Sequence, residues 1–178
     1  MSERTYPLID PSANLLSFFR GELTRACAAI NLQITQEVEA YLVHLLDGFV
    51  RLKPEHHDHL GFHRPAALLL GEAAHTGSDR RVEAYRQLGD TCLYNCGFFE
   101  GHLTRRGVRP EYYHAIGATA YTRLADWMAF RQPGGVLASI FGELARKFDV
   151  LTRALQGVAS PPQNLSVLPP LSRRPGEG

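Results

Sequence analysis

Apolar side chains recur at steps of three and four residues through most of this 178-residue chain, and this spacing limits the fold more than any other feature. Residues 13–30 show it clearly, with apolar side chains at Leu15, Phe18, Phe19, Leu23, Ala26, Cys27 and Ile30. Such a stripe is typical of the buried face of an amphipathic helix. No segment shows the sustained alternation of a strand. The sequence therefore predicts an all-α fold.

The same spacing, interrupted by Pro, Gly and capping residues, predicts five or six helices in total. Beyond residues 13–30 they are expected over roughly residues 35–52, 65–75, 79–99, 110–132 and 137–155. Short connections favour antiparallel neighbours, and hence a single-domain up-and-down bundle over residues 13–157. Residues 1–12 form an N-terminal arm. Residues 158–178 are rich in Pro, Ser and Gly, so they are expected to form a disordered, flexible tail.

Composition excludes several classes of function. The charged fraction of 21% and formal net charge of +1 are those of an ordinary soluble protein, and they favour neither nucleic acid nor an anionic membrane as a partner. No apolar run approaches the roughly 18–20 residues that cross a bilayer, and the N-terminus lacks a signal-peptide pattern. Cys27, Cys92 and Cys96 are too few for a disulfide framework. They are expected to be buried thiols of a cytoplasmic protein.

The segment PEHHDHLGFH, residues 54–63, carries four of the chain's eight histidines and suggests a metal site. In an up-and-down bundle this loop lies at the same end as the 100–110 loop and the start of the next helix. Imidazole and carboxylate suit zinc, nickel or iron, and the candidate ligands are His57, His59, His63, Glu100, His102 and His114. The alternative is a polar loop between helices, which is where polar residues usually lie.

Two Glu-x-x-His pairs, Glu72–His75 and Glu111–His114, raise a further alternative, a di-iron centre. In the predicted topology the pairs lie near opposite ends of the helix at 79–99, which separates them by roughly 30 Å. A binuclear centre needs its metals about 3.5–4 Å apart. The two pairs are therefore not expected to share a site.

Two polar residues fall on apolar helix faces. His44 lies beside Val43 and Leu45, and it is expected to be a hydrogen-bonded core histidine rather than a haem ligand. Asp90 is expected to pair with an arginine of residues 105–109 or with a tyrosine hydroxyl. The sequence contains no Gly-x-Ser-x-Gly motif and no phosphate-binding glycine loop, and thiols without a cationic neighbour are inert. No catalytic residue is predicted.

The densest aromatic and basic region, residues 88–121, predicts an interface with another protein or with a second copy of the chain. The candidate contact residues are Phe98, Phe99, Arg105, Arg106, Arg109, Tyr112 and Tyr113. The chain is nearly neutral overall, so three arginines alone give little support to nucleic-acid binding. Gly89, Gly97 and Gly117, with Ala118, would let helices approach closely, so part of the region is expected to serve packing.

The same region contains a pattern of small and aromatic residues: Leu88-Gly89-Asp90, Gly97-Phe98-Phe99, Tyr112-Tyr113, Gly117 and Ala120-Tyr121. This pattern resembles a group of small, uncharacterised helical proteins of bacteria, over roughly residues 14–156. The resemblance implies a bacterial helical domain and no particular activity. The sequence thus favours a non-catalytic binding module, acting as an adaptor, scaffold or regulatory protein. The alternative is a metal-binding protein or metal-dependent enzyme that uses the histidine loop.

Overall fold

The structure is a computed structural model that describes residues 11–51, 66–75, 77–105 and 107–160. Within these ranges the chain forms eight α-helices and no strand. They are α1 (Pro11–Ala29), α2 (Gln36–Arg51), α3 (Ala66–His75), α4 (Ser78–Phe98), α5 (Glu100–Arg105), α6 (Pro110–Arg131), α7 (Val136–Arg146) and α8 (Phe148–Ala159). The prediction of an all-α fold is confirmed.

The described helices outnumber the predicted five or six for two reasons. A six-residue helix, α5, forms where Gly101 predicted only a loop. The predicted helix at 137–155 is divided at Lys147, whose backbone has φ −103° and ψ 11°. This division lets α7 pack along α6 while α8 packs against α1 and α4. The spacing of apolar residues does not reveal it, because the stripe continues through Leu144 and Phe148 on either side.

The ends of the described chain differ slightly from the predicted domain boundaries. Helix α1 begins at Pro11, inside the predicted arm, and α8 continues to Ala159, inside the predicted tail. Val158 still packs against the core, which accounts for the longer α8. The rest of the arm and of the tail lies outside the described residues.

Helix α4 is the central element, with α3, α6 and α8 packed against it. Three glycines provide the closest approaches, and we call them the glycine seam: Gly89, Gly97 and Gly117. A Cβ atom at Gly89 would lie 2.6 Å from the Tyr121 ring, and one at Gly97 would lie 2.5 Å from Leu155 Cβ. At Gly117 it would overlap the ring of Phe148. The prediction that these glycines permit close helix packing is confirmed.

Helices α1 and α2 pack on one another, and they contact α8 and α7 respectively. The chain just before α2 is held by Glu143 of α7, a buried carboxylate. The Thr35 hydroxyl donates to Glu143 Oε2 at 2.7 Å, and Lys147 Nζ donates to Oε1 at 2.8 Å. Burial would raise the pKa of Glu143, but the hydrogen bonds from Lys147 and Thr35 outweigh burial and lower it. This network fixes α2 relative to α7.

None of the helices within the described ranges combines the length and the apolar character needed to cross a membrane.

Candidate functional site

The predicted metal ligands are described only in part. His57, His59 and His63 lie outside the described residues. Glu100 accepts a hydrogen bond from Gln156 Nε2 at 2.6 Å, and His114 Nδ1 lies 3.2 Å from Asp149 Oδ1, while the His102 side chain is exposed.

The part of the chain that the structure describes contains no group of three side chains able to hold a metal ion. The two Glu-x-x-His pairs form no such group within these ranges. The metal site at the histidine loop stays a prediction, and elemental analysis of protein purified without a histidine tag tests it.

The predicted interface residues divide between surface and core. Phe99 and Tyr112 are 44% and 43% exposed, and the Arg105 and Arg109 side chains are exposed beside them at the turn from α4 to α6. We call these four residues the aromatic–arginine end. Arg106 lies outside the described residues.

Two of the predicted interface residues point inward instead. Tyr113 is only 6% exposed and belongs to the core. Phe98 is half-buried, with its ring stacked on Tyr94 at 4.9 Å between centroids. Successive residues of a helix point in directions about 100° apart, so neighbouring aromatic residues cannot all face solvent.

A second exposed apolar group, which the sequence analysis did not identify, lies where α6 is joined to α7. Phe130 is 89% exposed, and Val136 and Leu137 are also exposed large hydrophobic residues. Phe130 and Val136 lie outside the apolar stripes that predicted these helices. Leu137 was predicted to lie on the buried stripe of the helix at 137–155, and this prediction was wrong, because Leu137 is 51% exposed.

The cysteines are buried and free, as predicted. Burial raises the pKa of Cys96 to about 12, and the charges of Glu100 and Glu111 add to the rise. Burial also raises the pKa of Cys92 well above its ordinary value. Because the thiolate is the reactive form, neither residue is suited to be a nucleophile.

His44 differs from its prediction. Its side chain is exposed rather than buried, and it lines a cavity of about 580 Å³ between α2 and α4. The other residues that line this cavity are Tyr41, Leu45, Gly48, Phe49, Glu83, Arg86, Gln87, Asp90 and Thr91. The apolar neighbours of His44 in the sequence do not share its face. Val43 and Leu45 point into the core on either side of it.

Aromatic side chains bridge the two helices that form the cavity. The rings of Phe49 and Tyr94 stack at 4.1 Å between centroids with an interplanar angle of 4°. The Tyr41 hydroxyl donates to Asp90 Oδ1 at 2.5 Å. Helices α2 and α4 thus meet through long side chains, and the cavity occupies the space that these side chains leave.

Asp90 is the central polar group of this site. Its Oδ1 atom accepts a second hydrogen bond from the Tyr121 hydroxyl of α6, at 2.7 Å. The prediction that Asp90 pairs with a tyrosine hydroxyl is confirmed. Its nearest arginine is Arg86, at 4.0 Å from Oδ2, rather than an arginine of residues 105–109. Gly89 makes this arrangement possible, because only a residue without a side chain leaves room for the Tyr121 ring there.

The other carboxylate oxygen of Asp90 is less well satisfied. Among the described residues no hydrogen bond reaches Oδ2, and Arg86 instead donates to Glu83 at 2.7 and 3.1 Å. Burial raises the pKa of Asp90 to about 6, although the two tyrosine hydroxyls and the Arg86 charge act in the opposite direction. A buried carboxylate whose ion pair is long and lacks a hydrogen bond is costly, and carboxylates with raised pKa values concentrate at functional sites.

Thr91 supplies a further unsatisfied group on the same wall. Its side chain lines the cavity and is almost fully buried, and its hydroxyl has no partner within the part of the chain that is described. Within the described ranges, Asp90 Oδ2 thus accepts no hydrogen bond and has only the long ion pair with Arg86, and the buried Thr91 hydroxyl has no partner. This arrangement suits binding, because a ligand can supply the missing hydrogen bonds.

Comparison of the chain with protein-family models, with curated proteins and with solved structures finds no match. The resemblance to small helical proteins of bacteria accordingly stays a prediction.

Proposed function

We propose that this chain is a binding protein that holds a small organic ligand in the cavity between α2 and α4. The observation that carries the proposal is the position of Asp90 on the cavity wall, with two tyrosine hydroxyls on one oxygen and, from the residues that the structure describes, no hydrogen bond to the other. The tyrosines hold the carboxylate in place. A ligand would complete its hydrogen bonding.

The size and the lining of the cavity support this proposal. Small-molecule sites typically have volumes of roughly 300–1,000 Å³ with apolar walls and a few polar groups that orient the ligand. The cavity of about 580 Å³ falls within that range. Leu45 and Phe49 supply apolar surface, while Asp90 supplies an orienting group. The sequence predicted a binding module, and the cavity adds a candidate site for its ligand.

Filling the cavity tests the proposal. Gly48 lines it, and a Cβ atom added there would meet nothing within 4 Å, so Gly48→Trp introduces an indole at the cavity from a position where the Cβ atom has room. Gly48→Ala is the matched control. We expect ligand-observed NMR with a library of small fragments to give hits on the wild type and on Gly48→Ala that are lost on Gly48→Trp. Hits that persist on a folded Gly48→Trp variant would place binding elsewhere and overturn the proposal.

A second candidate function is binding to another protein or to a second copy of the chain. It is favoured by the exposure of Phe130, at 89%, and of Phe99 and Tyr112 at the aromatic–arginine end. Exposed aromatic and arginine residues concentrate binding energy at protein interfaces. An adaptor, scaffold or regulatory role rests on this candidate.

Sedimentation velocity over a range of concentrations tests self-association. If the chain associates through the α6–α7 surface, Phe130→Ser removes association and Tyr112→Ser does not. The opposite pattern assigns the contact to the aromatic–arginine end. A wild type that stays monomeric at every concentration excludes a second copy as the partner.

We also propose a cytoplasmic location in a bacterial cell. Support comes from the three buried free thiols, which suit a reducing compartment, and from the resemblance noted in the sequence. Localisation of the full chain with a fluorescent tag tests this.

A further inference from the structure

We propose that the ligand of the α2–α4 cavity is a small organic cation, with an ammonium or amidinium group on an apolar body. This inference rests on the proposed function of the cavity and adds the chemical class of its ligand. It is carried by the charges, the free hydrogen-bonding positions and the aromatic surfaces of the wall.

The charged side chains of the wall favour a cation. They comprise two carboxylates, Glu83 and Asp90, and one guanidinium, Arg86. Arg86 is already held by Glu83 through two hydrogen bonds. Its nearest nitrogen is 4.0 Å from Asp90 Oδ2, beyond hydrogen-bonding distance. The carboxylate of Asp90 therefore has a long ion pair with Arg86 but no hydrogen bond from it, and the wall carries one net negative charge when His44 is neutral.

The hydrogen-bonding positions select the same class. Asp90 Oδ2 only accepts hydrogen bonds when ionised, so its ligand must donate. An ammonium or amidinium group presents several N–H donors, and one of them can meet Asp90 Oδ2 at the cavity wall. Charge-assisted hydrogen bonds of this kind are shorter and stronger than neutral ones. A carboxylate or phosphate ligand would instead face Asp90 with like charge.

The rest of the wall suits the apolar body of such a ligand. The Phe49 ring is fixed by stacking on Tyr94, and the Tyr41 ring is fixed by the hydrogen bond to Asp90 and by edge contact with Phe141. Aromatic faces attract organic cations as well as apolar groups. Leu45 adds aliphatic surface.

Binding of a cation here depends on pH with a definite sign. The charged and titratable groups that face Asp90 are Tyr41 and His44 on α2, Glu83 and Arg86 on α4, and Tyr121 on α6. The pKa of Asp90 is about 6, raised mainly by burial. A proton on Asp90 removes the charge that the ligand needs. Affinity for a cation should therefore fall as the pH drops through about 6, and affinity for a neutral ligand should not.

Three probes of nearly equal shape test the class: benzylamine, benzyl alcohol and benzoate. Titrations followed by protein NMR compare their affinities for the wild type, Asp90→Asn, Gly48→Ala and Gly48→Trp. We expect benzylamine to bind the wild type about tenfold or more tightly than benzyl alcohol, the usual gain for a hydrogen bond to a charged group. Benzoate should bind most weakly. Asp90→Asn keeps the shape and removes the charge, so it should abolish the advantage of benzylamine.

The outcomes separate this inference from the function on which it rests. If benzyl alcohol or benzoate binds as tightly as benzylamine, and Gly48→Trp removes that binding, the cavity binds ligands and the cationic class is wrong. If no probe and no fragment binds, both proposals fail. The pH profile of benzylamine on the wild type needs no variant, so it decides the matter even if Asp90→Asn does not fold. An affinity that does not change between pH 7 and pH 5 overturns the assignment to Asp90.

Discussion

The two sides of α4 are built differently, and residues 89 and 90 mark the difference. Gly89 faces α6, where the Tyr121 ring leaves no room for a side chain. Asp90, the next residue, faces α2 across a cavity of about 580 Å³. One side is closed by contact between helices, and the other is held open by bridging side chains. A rigid side supports a polar group on the open side, which is the usual requirement of a binding site.

Overpacking the glycine seam should have the largest effect. At Gly117 a Cβ atom would meet the Phe148 ring and, at 2.8 Å, the Cys92 Cβ atom. Gly117→Ala should lower the free energy of unfolding by about 3 kcal/mol, despite the better helix propensity of alanine, because overpacking commonly costs about 1–3 kcal/mol or more. Urea denaturation measures this. An unchanged midpoint would mean that the helices are not in close contact there.

Removing the Tyr121 hydroxyl should have the next largest effect on the free energy of unfolding. This hydroxyl links the closely packed side of α4 to Asp90 on the cavity side. Tyr121→Phe keeps the ring against Gly89 and deletes the hydrogen bond to Asp90. We expect a loss of about 2 kcal/mol, within the range for hydrogen bonds to charged groups. Thr122→Val is a matched control on the exposed face of α6, since the Thr122 hydroxyl donates to the Ala118 carbonyl of its own helix. Equal losses for the two variants would contradict a special role for Asp90.

A smaller effect should appear in the pH dependence of stability. The folded-state pKa of Asp90, about 6, lies above its ordinary value of 3.8, so the folded state binds this proton more tightly. The ionised form therefore opposes folding above pH 6, and stability is gained as the pH falls toward 4. Relative to Asp90→Asn, the wild type should gain about 1 kcal/mol between pH 7 and pH 5.

The comparison with Asp90→Asn removes the contribution of Glu143, whose lowered pKa acts with the opposite sign. A group with a lowered folded-state pKa loses its stabilising contribution as the pH falls. Chemical denaturation of both proteins at each pH gives the difference directly. A difference that stays constant from pH 7 to pH 5 would show that Asp90 titrates normally.

The smallest effect should be a gain in stability at Gly48, on the cavity side of α4. Gly48 is a helical glycine whose added Cβ atom would meet nothing within 4 Å. Gly48→Ala should therefore raise the free energy of unfolding by about 0.5–1 kcal/mol through helix propensity alone. The same change from glycine to alanine should therefore raise the free energy of unfolding at Gly48 and lower it at Gly117. A loss of stability in Gly48→Ala, measured by urea denaturation, would mean that the cavity is smaller in solution.

The sequence was sufficient for those features that depend on one helix at a time. The apolar stripe through Leu23 and Cys27 predicted α1, and both residues are buried. The small residues at Gly89 and Gly117 predicted close packing because no other residue type allows it. Asp90 was conspicuous as a carboxylate within an otherwise apolar face, and the expected partners were an arginine of residues 105–109 or a tyrosine hydroxyl.

Features that depend on how two helices cross could not be obtained in this way. Tyr41 lies 49 residues before Asp90, and nothing in its local pattern indicates that their side chains meet. The outward direction of His44 depends on the space that α2 and α4 leave between them. Tyr113 is buried while Tyr112 is not, because the position of α6 decides which of two adjacent tyrosines faces inward.

The Tyr121 side chain has a consequence for how this site can be altered. Its ring packs against Gly89 and its hydroxyl holds Asp90, but it is not among the residues that line the cavity. The charge of Asp90 at the cavity wall is thus influenced by a residue that does not line the cavity. A substitution of Tyr121 on α6 can change the protonation and the orientation of the Asp90 side chain. The residues that line the cavity stay the same. For the ligand binding proposed above, affinity and shape selectivity would therefore vary separately, the first through α6 and the second through α2.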